Sequence, residues 1–198
     1  MIKIGITGTI GSGKTFALNF FKSKRIKTFS ADFEVKNILK GILVKEKIFK
    51  LFPEAFISKK LNKSLLASIV FNNSKKLSNL EKIIHPLVKL EKKKFLEKNK
   101  NKKILVMEIP LIFEKKSIKN YDYIILMSVN KKNQFNRIKN RKNMSYKLFN
   151  KILKNQISNT KKRFAHFVIN NNHSKIETKK KLQIILNKIL STSLSTLI

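Results

Sequence analysis

The chain contains no cysteine and no tryptophan, only three prolines and five glycines, and only 11 acidic residues against 45 Lys and Arg in 198 positions. Without cysteine there is neither a disulfide scaffold nor a zinc-thiolate site. No apolar run approaches the roughly 18 residues that suggest a bilayer-spanning helix, which argues against a membrane protein. The opening Met-Ile-Lys-Ile lacks the basic and long apolar regions of a secretory leader, so the expected location is the cytoplasm. An apolar fraction of 42% supplies a core for one domain of this length.

Scarcity of acid leaves a formal charge of +34, which invites a nucleic-acid partner. Of the 45 cations 41 are Lys, spread from Lys3 to Lys188, and four are Arg: Arg25, Arg137, Arg141 and Arg163. Ile, Asn and Phe are abundant as well, and all of these residues have A/T-rich codons. A compositional bias explains the surface without a dedicated polyanion patch.

Glycine is rare but crowded. Four of the five glycines are Gly5, Gly8, Gly11 and Gly13. Lys3-Ile4-Gly5-Ile6-Thr7 reads as a buried strand, and Gly8-Thr9-Ile10-Gly11-Ser12-Gly13-Lys14-Thr15 fits G-x-x-x-x-G-K-S/T without a mismatch. Phe16, Ala17, Leu18, Phe20 and Phe21 follow with helical spacing. A phosphate loop between strand and helix binds phosphate with main-chain N–H groups and the helix dipole. Lys14 then reaches the β- and γ-phosphates of ATP, and the Thr15 hydroxyl ligates Mg²⁺. A dinucleotide fingerprint is excluded, because its last glycine would fall on Phe16. A GTPase fits poorly: Asn130-Lys131-Lys132-Asn133 lacks the final Asp of N-K-x-D, and no glycine after Gly41 exists for D-x-x-G. Asn130 reads instead as a helix cap.

Asp32 and Asp122 are the only aspartates. Asp32 follows a strand-like Ile26-Lys27-Thr28-Phe29, and the carboxyl end of that strand in a parallel sheet faces the phosphate crevice. An acid there takes the proton of an acceptor hydroxyl, although Ser30 or Asp32 also suits a helix cap. Glu108, at the end of Ile104-Leu105-Val106-Met107-Glu108-Ile109, turns toward the same crevice and could act on Mg²⁺ through water.

These motifs, with Ile84-His85-Pro86-Leu87, Pro110-Leu111-Ile112-Phe113-Glu114 and Gln134 followed by Arg137 and Arg141, resemble the dephospho-CoA kinase family in order and spacing from about residue 3 to residue 190. The resemblance implies an α/β P-loop fold with a five-stranded parallel core, a helical acceptor lobe at 45–100 between core segments 1–44 and 101–198, and a lid near 138–163. It implies ATP-dependent phosphorylation of the ribose 3′-hydroxyl of dephospho-CoA. Catalytic roles fall to Lys14, Asp32 and Arg137, and ATP contacts to Gly8, Gly11, Ser12, Gly13, Lys14, Thr15, Phe16, Arg141 and Asn171. Acceptor contacts are implied for His85, Pro86, Leu87, Pro110, Leu111, Phe113 and Glu114. Four positions depart from the family's pattern: Glu108 stands where many members carry Asp, His173 stands where Gly is usual, and Ser30 and His166 replace acids. Asp-Ala-Asp appears as Ser30-Ala31-Asp32, and A-D-x-V-I-x-N as Ala165-His166-Phe167-Val168-Ile169-Asn170-Asn171. The alternatives are another small-acceptor kinase and a basic nucleic-acid-binding module, though the latter gives no reason for the phosphate loop.

Strands are expected near 2–7, 26–30, 103–109, 122–129 and 165–169. Helices are expected near 14–24, 31–42, 130–141, 145–163 and 174–190, with a kink or a new helix at Pro86 and a frayed tail after 190.

Overall fold

The computed structural model of the chain describes residues 1–108, 119–141, 144–156 and 165–195. Five strands form one parallel sheet: β1 (Ile2–Thr7), β2 (Lys27–Phe29), β5 (Ile104–Glu108), β6 (Tyr123–Ser128) and β7 (Phe167–Asn170), in the order β2-β5-β1-β6-β7. Their side chains alternate between two apolar layers, as a sheet covered on both faces requires. Ile4, Ile6, Val106, Ile125 and Met127 pack on helix α1 (Lys14–Ser23) and on the C-terminal helix α8 (Lys175–Ser195). Leu105, Met107 and Ile124 pack on α2 (Ala31–Ile38) and α5 (Ser74–Lys98). From β1 the chain crosses to one side of the sheet and from β6 to the other, so a crevice opens at the carboxyl ends beside β1.

The stretch between β2 and β5 holds α2, α3 (Ile42–Leu51), α4 (Lys63–Phe71) and α5, with a small apolar cluster of its own around Ile48, Phe52, Leu66 and Val70. It is not wholly helical. A hairpin of β3 (Phe56–Ile57) and β4 (Lys60–Leu61) turns through Ser58 and Lys59, both at positive φ. The expected helix 31–42 is divided, ending at Ile38 and resuming at Ile42 after Gly41. Pro86 begins no new helix: α5 runs through it for 25 residues, anchored on either side by buried Ile84 and Val88. The tail is helical to Ser195, beyond the expected end, and the hydroxyls of Ser191 and Thr192 bond back to the Lys188 carbonyl within it. Helix α6 (Lys131–Ile138) is capped by Asn130 as expected but stops short of Arg141. Helix α7 (Tyr146–Gln156) covers the first half of the expected 145–163, the rest of which lies outside the described residues.

Helix α1 ends on a residue that glycine usually fills. Arg25 sits at φ 60° while the Ile26 and Arg25 N–H groups bond back to Phe21 and Lys22. The left-handed conformation costs a residue bearing Cβ about 1–2 kcal/mol, partly offset by the chain entropy that glycine loses. Arg25→Gly is therefore expected to exceed Arg25→Ala in stability by about 1 kcal/mol, read from chemical denaturation midpoints; equal midpoints would refute it.

Candidate active site

Helix α1 begins without a capping side chain. Its cap position is Gly13 at φ 99°, which offers no side-chain cap, and no acid stands in its first turn. First-turn N–H groups have no acceptor within the helix, so this end presents free donors and an uncompensated dipole to an anion. Gly11, at φ 73°, is needed for a second reason: a Cβ there would stand 2.8 Å from the Gln134 carbonyl oxygen.

The loop is held from outside. Asn171, in the turn after β7, donates through Nδ2 to the Ser12 carbonyl at 2.8 Å, accepts from the Thr178 hydroxyl at 2.7 Å, and donates its own N–H to Ser128 at 2.7 Å. Its carbonyl accepts from Arg137 Nη2 at 2.6 Å, and Arg137 Nη1 reaches the Gly11 carbonyl at 3.4 Å. Gln134 donates to the Thr9 hydroxyl, and Gln156 of α7 accepts the Ile10 N–H at 2.8 Å. Phe16 packs half-buried against the main core. Arg137 and Arg141 do not share a helix face, because α6 ends between them. Arg137 braces the loop, while Arg141 lines the groove that opens from it.

At the mouth of the loop Lys14 Nζ donates to the carbonyls of Gly8 at 3.0 Å and Thr9 at 3.3 Å, and stands 3.7 Å from Glu108 Oε1. Glu108 is buried at the end of β5, and its Oε2 accepts the Ser30 hydroxyl at 2.6 Å. Burial pushes the Glu108 carboxyl above its ordinary value, and the Asp32 carboxylate adds to this. The Lys14 ammonium and the Ser30 hydroxyl oppose them. Ser30 also caps α2, accepting the Phe33 N–H at 3.2 Å. Asp32 therefore has no capping duty and faces the groove, exposed, on the first turn.

That groove encloses about 1100 Å³ and has Thr15, Ser30, Asp32, Phe33 and Arg141 among its lining residues. His85, Pro86 and Leu87 lie on α5, which lines the groove further along with Glu91, Lys94, Phe95 and Lys98. Pro110, Leu111, Phe113 and Glu114 lie outside the described residues, as does Arg163. His166 is at the opposite end of β7 from Asn171, away from the phosphate loop, where its Nδ1 accepts the Ile124 N–H at 3.0 Å. His173 is exposed, 3.7 Å from Glu177.

The mouth suits a divalent cation shared with phosphate. Glu108 Oε1 is buried with no hydrogen-bond partner, the Asp32 carboxylate stands close enough to raise its pKa, and Thr15 opens α1 on the same side. Among the described residues no three acidic or histidine side chains converge to cage a metal by themselves. Mg²⁺ fits this donor set, since it takes one or two carboxylates and completes its shell with phosphate and water. Among the described residues no helix is long and apolar enough to cross a membrane.

The structure brings Lys14, Thr15, Asp32 and Glu108, all named from the sequence, to one mouth; the sequence did not show how Ser30 serves Glu108 or how Gln156 and Thr178 serve the loop. A serine before an acid signals a cap, whereas the contacts of Ser30 with Glu108 across 78 positions and of Gln156 with Ile10 across 146 leave no local signal.

Comparison with known proteins agrees with this geometry. The dephospho-CoA kinase family model matches residues 2–177. A dephospho-CoA kinase of Bartonella quintana is 38% identical over 190 residues, covering 94% of this chain and 97% of that protein. Among solved structures, a dephospho-CoA kinase from Campylobacter jejuni is 29% identical with a TM-score of 0.63, covering 96% of this chain and 98% of that one. A Thermus thermophilus protein is 27% identical with a TM-score of 0.73, covering 94% and 97%. The chain has the P-loop kinase fold and belongs to the dephospho-CoA kinase family.

Proposed function

We propose that this chain phosphorylates the ribose 3′-hydroxyl of dephospho-CoA with ATP, giving coenzyme A and ADP, the last step of coenzyme A synthesis. The observation that carries the reading is the position of Asp32. Relieved of capping by Ser30, it stands on the groove that opens from the phosphate loop, with Thr15 and Arg141 on the same lining. In this reading the Asp32 carboxylate accepts the hydroxyl proton as the acceptor oxygen bonds to the γ-phosphorus. The bond from that phosphorus to the bridging oxygen breaks, and ADP departs with the electron pair.

The first-turn N–H groups of α1 and Lys14 hold the phosphates, and Lys14 neutralises the charge that develops on them. Thr15 and, through water, Glu108 would hold Mg²⁺, which would supply further charge neutralisation on the phosphate oxygens. In this reading the insertion near 45–100 serves the acceptor, and α7, which reaches the phosphate loop through Gln156, lies on the nucleotide side. Release of ADP on adding dephospho-CoA, compared with adenosine, AMP and shikimate, tests the reading. ADP release with another of these acceptors and none with dephospho-CoA would overturn it.

Arg137 is a positioning residue in this scheme. Its two nitrogens on two carbonyls need a planar fork that a lysine cannot reproduce. Arg137→Lys is expected to slow phosphoryl transfer at least about tenfold, on the order of 1.4 kcal/mol in the barrier. Single-turnover rates decide it, and a rate equal to wild type would remove the brace from the mechanism.

A further inference from the structure

Phosphoryl transfer uses only one end of the groove. Thr15, Leu18, Asn19 and Lys22 recur at i, i+3, i+4 and i+7 along α1, and all four line it. Glu91, Lys94, Phe95 and Lys98 repeat the same spacing along α5 and line it too. Such spacing puts each set on one helix face, so two stripes border the same space. Between them lies β2, the edge strand of the sheet, which contributes Thr28 and Phe29.

Both stripes run away from the catalytic mouth. Lys22 is seven residues beyond Thr15, roughly 10 Å along the helix. Helix α5 delivers the chain to the start of β5, the strand whose other end carries Glu108, so Lys98 stands at the remote end as well. The charges there are uneven. Glu91 is closed by Lys94 at 2.8 Å, and Glu34 and Lys36 on α2 offset each other in sign. The side-chain ammoniums of Lys22 and Lys98 have no hydrogen-bond or ion-pair partner among the described residues.

We infer that Lys22 and Lys98 form the cationic end of an acceptor channel and bind the acceptor's diphosphate while its ribose sits at Asp32. The inference rests on the dephospho-CoA reading. In that acceptor the ribose stands between the reacting 3′-hydroxyl and the only formal charges, those of the 5′-diphosphate. An enzyme selecting it needs cations set apart from the catalytic mouth by a span that a ribose and a flexible lysine stem close together. Lys22 and Lys98 meet that requirement, and charge complementarity commits the channel to a diphosphate-bearing acceptor in preference to a neutral one.

The test compares Lys22→Gln/Lys98→Gln with Lys24→Gln/Lys93→Gln, a charge-matched pair on or beside the same two helices but outside the groove lining. The first is expected to raise the KM for dephospho-CoA at least about tenfold with kcat and the KM for ATP unchanged, and to flatten the dependence of the acceptor KM on ionic strength. The second should match wild type. An unmoved acceptor KM, or an equal rise in both variants, overturns the channel while leaving the function standing. A wild-type protein that fails to phosphorylate dephospho-CoA overturns the function, and the channel with it.

Discussion

Lys14→Ala is expected to lower kcat by at least two to three orders of magnitude, the loss typical of removing one preorganised partner of transition-state charge. Its ammonium is not free to wander: it rests on the Gly8 and Thr9 carbonyls, 3.7 Å from Glu108. These contacts store the cation at the mouth of the loop, so little reorganisation precedes its use by a phosphate. Because Lys14 also opposes the upward push on the Glu108 carboxyl, truncation removes a cation from a site that already crowds two carboxylates. Steady-state turnover with ATP and dephospho-CoA provides the check, and near wild-type rates would sink the assignment of the phosphate loop.

Asp32→Asn should reduce kcat by about two to four orders of magnitude, the range for loss of a positioned general base. The KM for ATP should hold, because the nucleotide meets the loop and α1. Fold stability should hold too, since Ser30 and not Asp32 caps α2. These three readouts separate chemistry from structure: unchanged turnover with a lowered melting temperature would return Asp32 to a structural role.

Much of this site was legible in the sequence because its chemistry is local. Eight consecutive residues carry the phosphate loop, and strand–turn–helix patterning around them set its context. The five strands were legible for a related reason. Both faces of the sheet are covered, so Ile104 to Met107 or Tyr123 to Met127 read as short apolar runs. The hairpin of β3 and β4 was not legible, because such turns usually announce themselves with Asn-Gly or Asp-Gly and here Ser58 and Lys59 take the positive φ angles. Pro86 misled in the opposite sense. One missing N–H is a small loss in a helix of 25 residues anchored by Ile84 and Val88. The brace around the loop was hidden by distance, since Asn171 meets Ser12 across 159 positions and Gln156 meets Ile10 across 146. Even the two lysine-bearing stripes of the groove are visible as spacing, but only the fold shows that they border one space.

At the start of β6 and of β7 the chain solves one problem with two different residues. Asp122 accepts the Lys3 N–H through Oδ2 at 2.7 Å and gives its own N–H to the Lys3 carbonyl. His166 accepts the Ile124 N–H through Nδ1 and gives its own N–H to the Ile124 carbonyl. Each residue extends the parallel ladder by a step, with a side-chain lone pair standing in for a carbonyl. A carboxyl oxygen and an imidazole Nδ1 are equivalent in that office, since both present an acceptor at short reach. What the ladder needs at position 166 is therefore a lone pair and not a negative charge, so an aspartate placed there would keep the sheet intact.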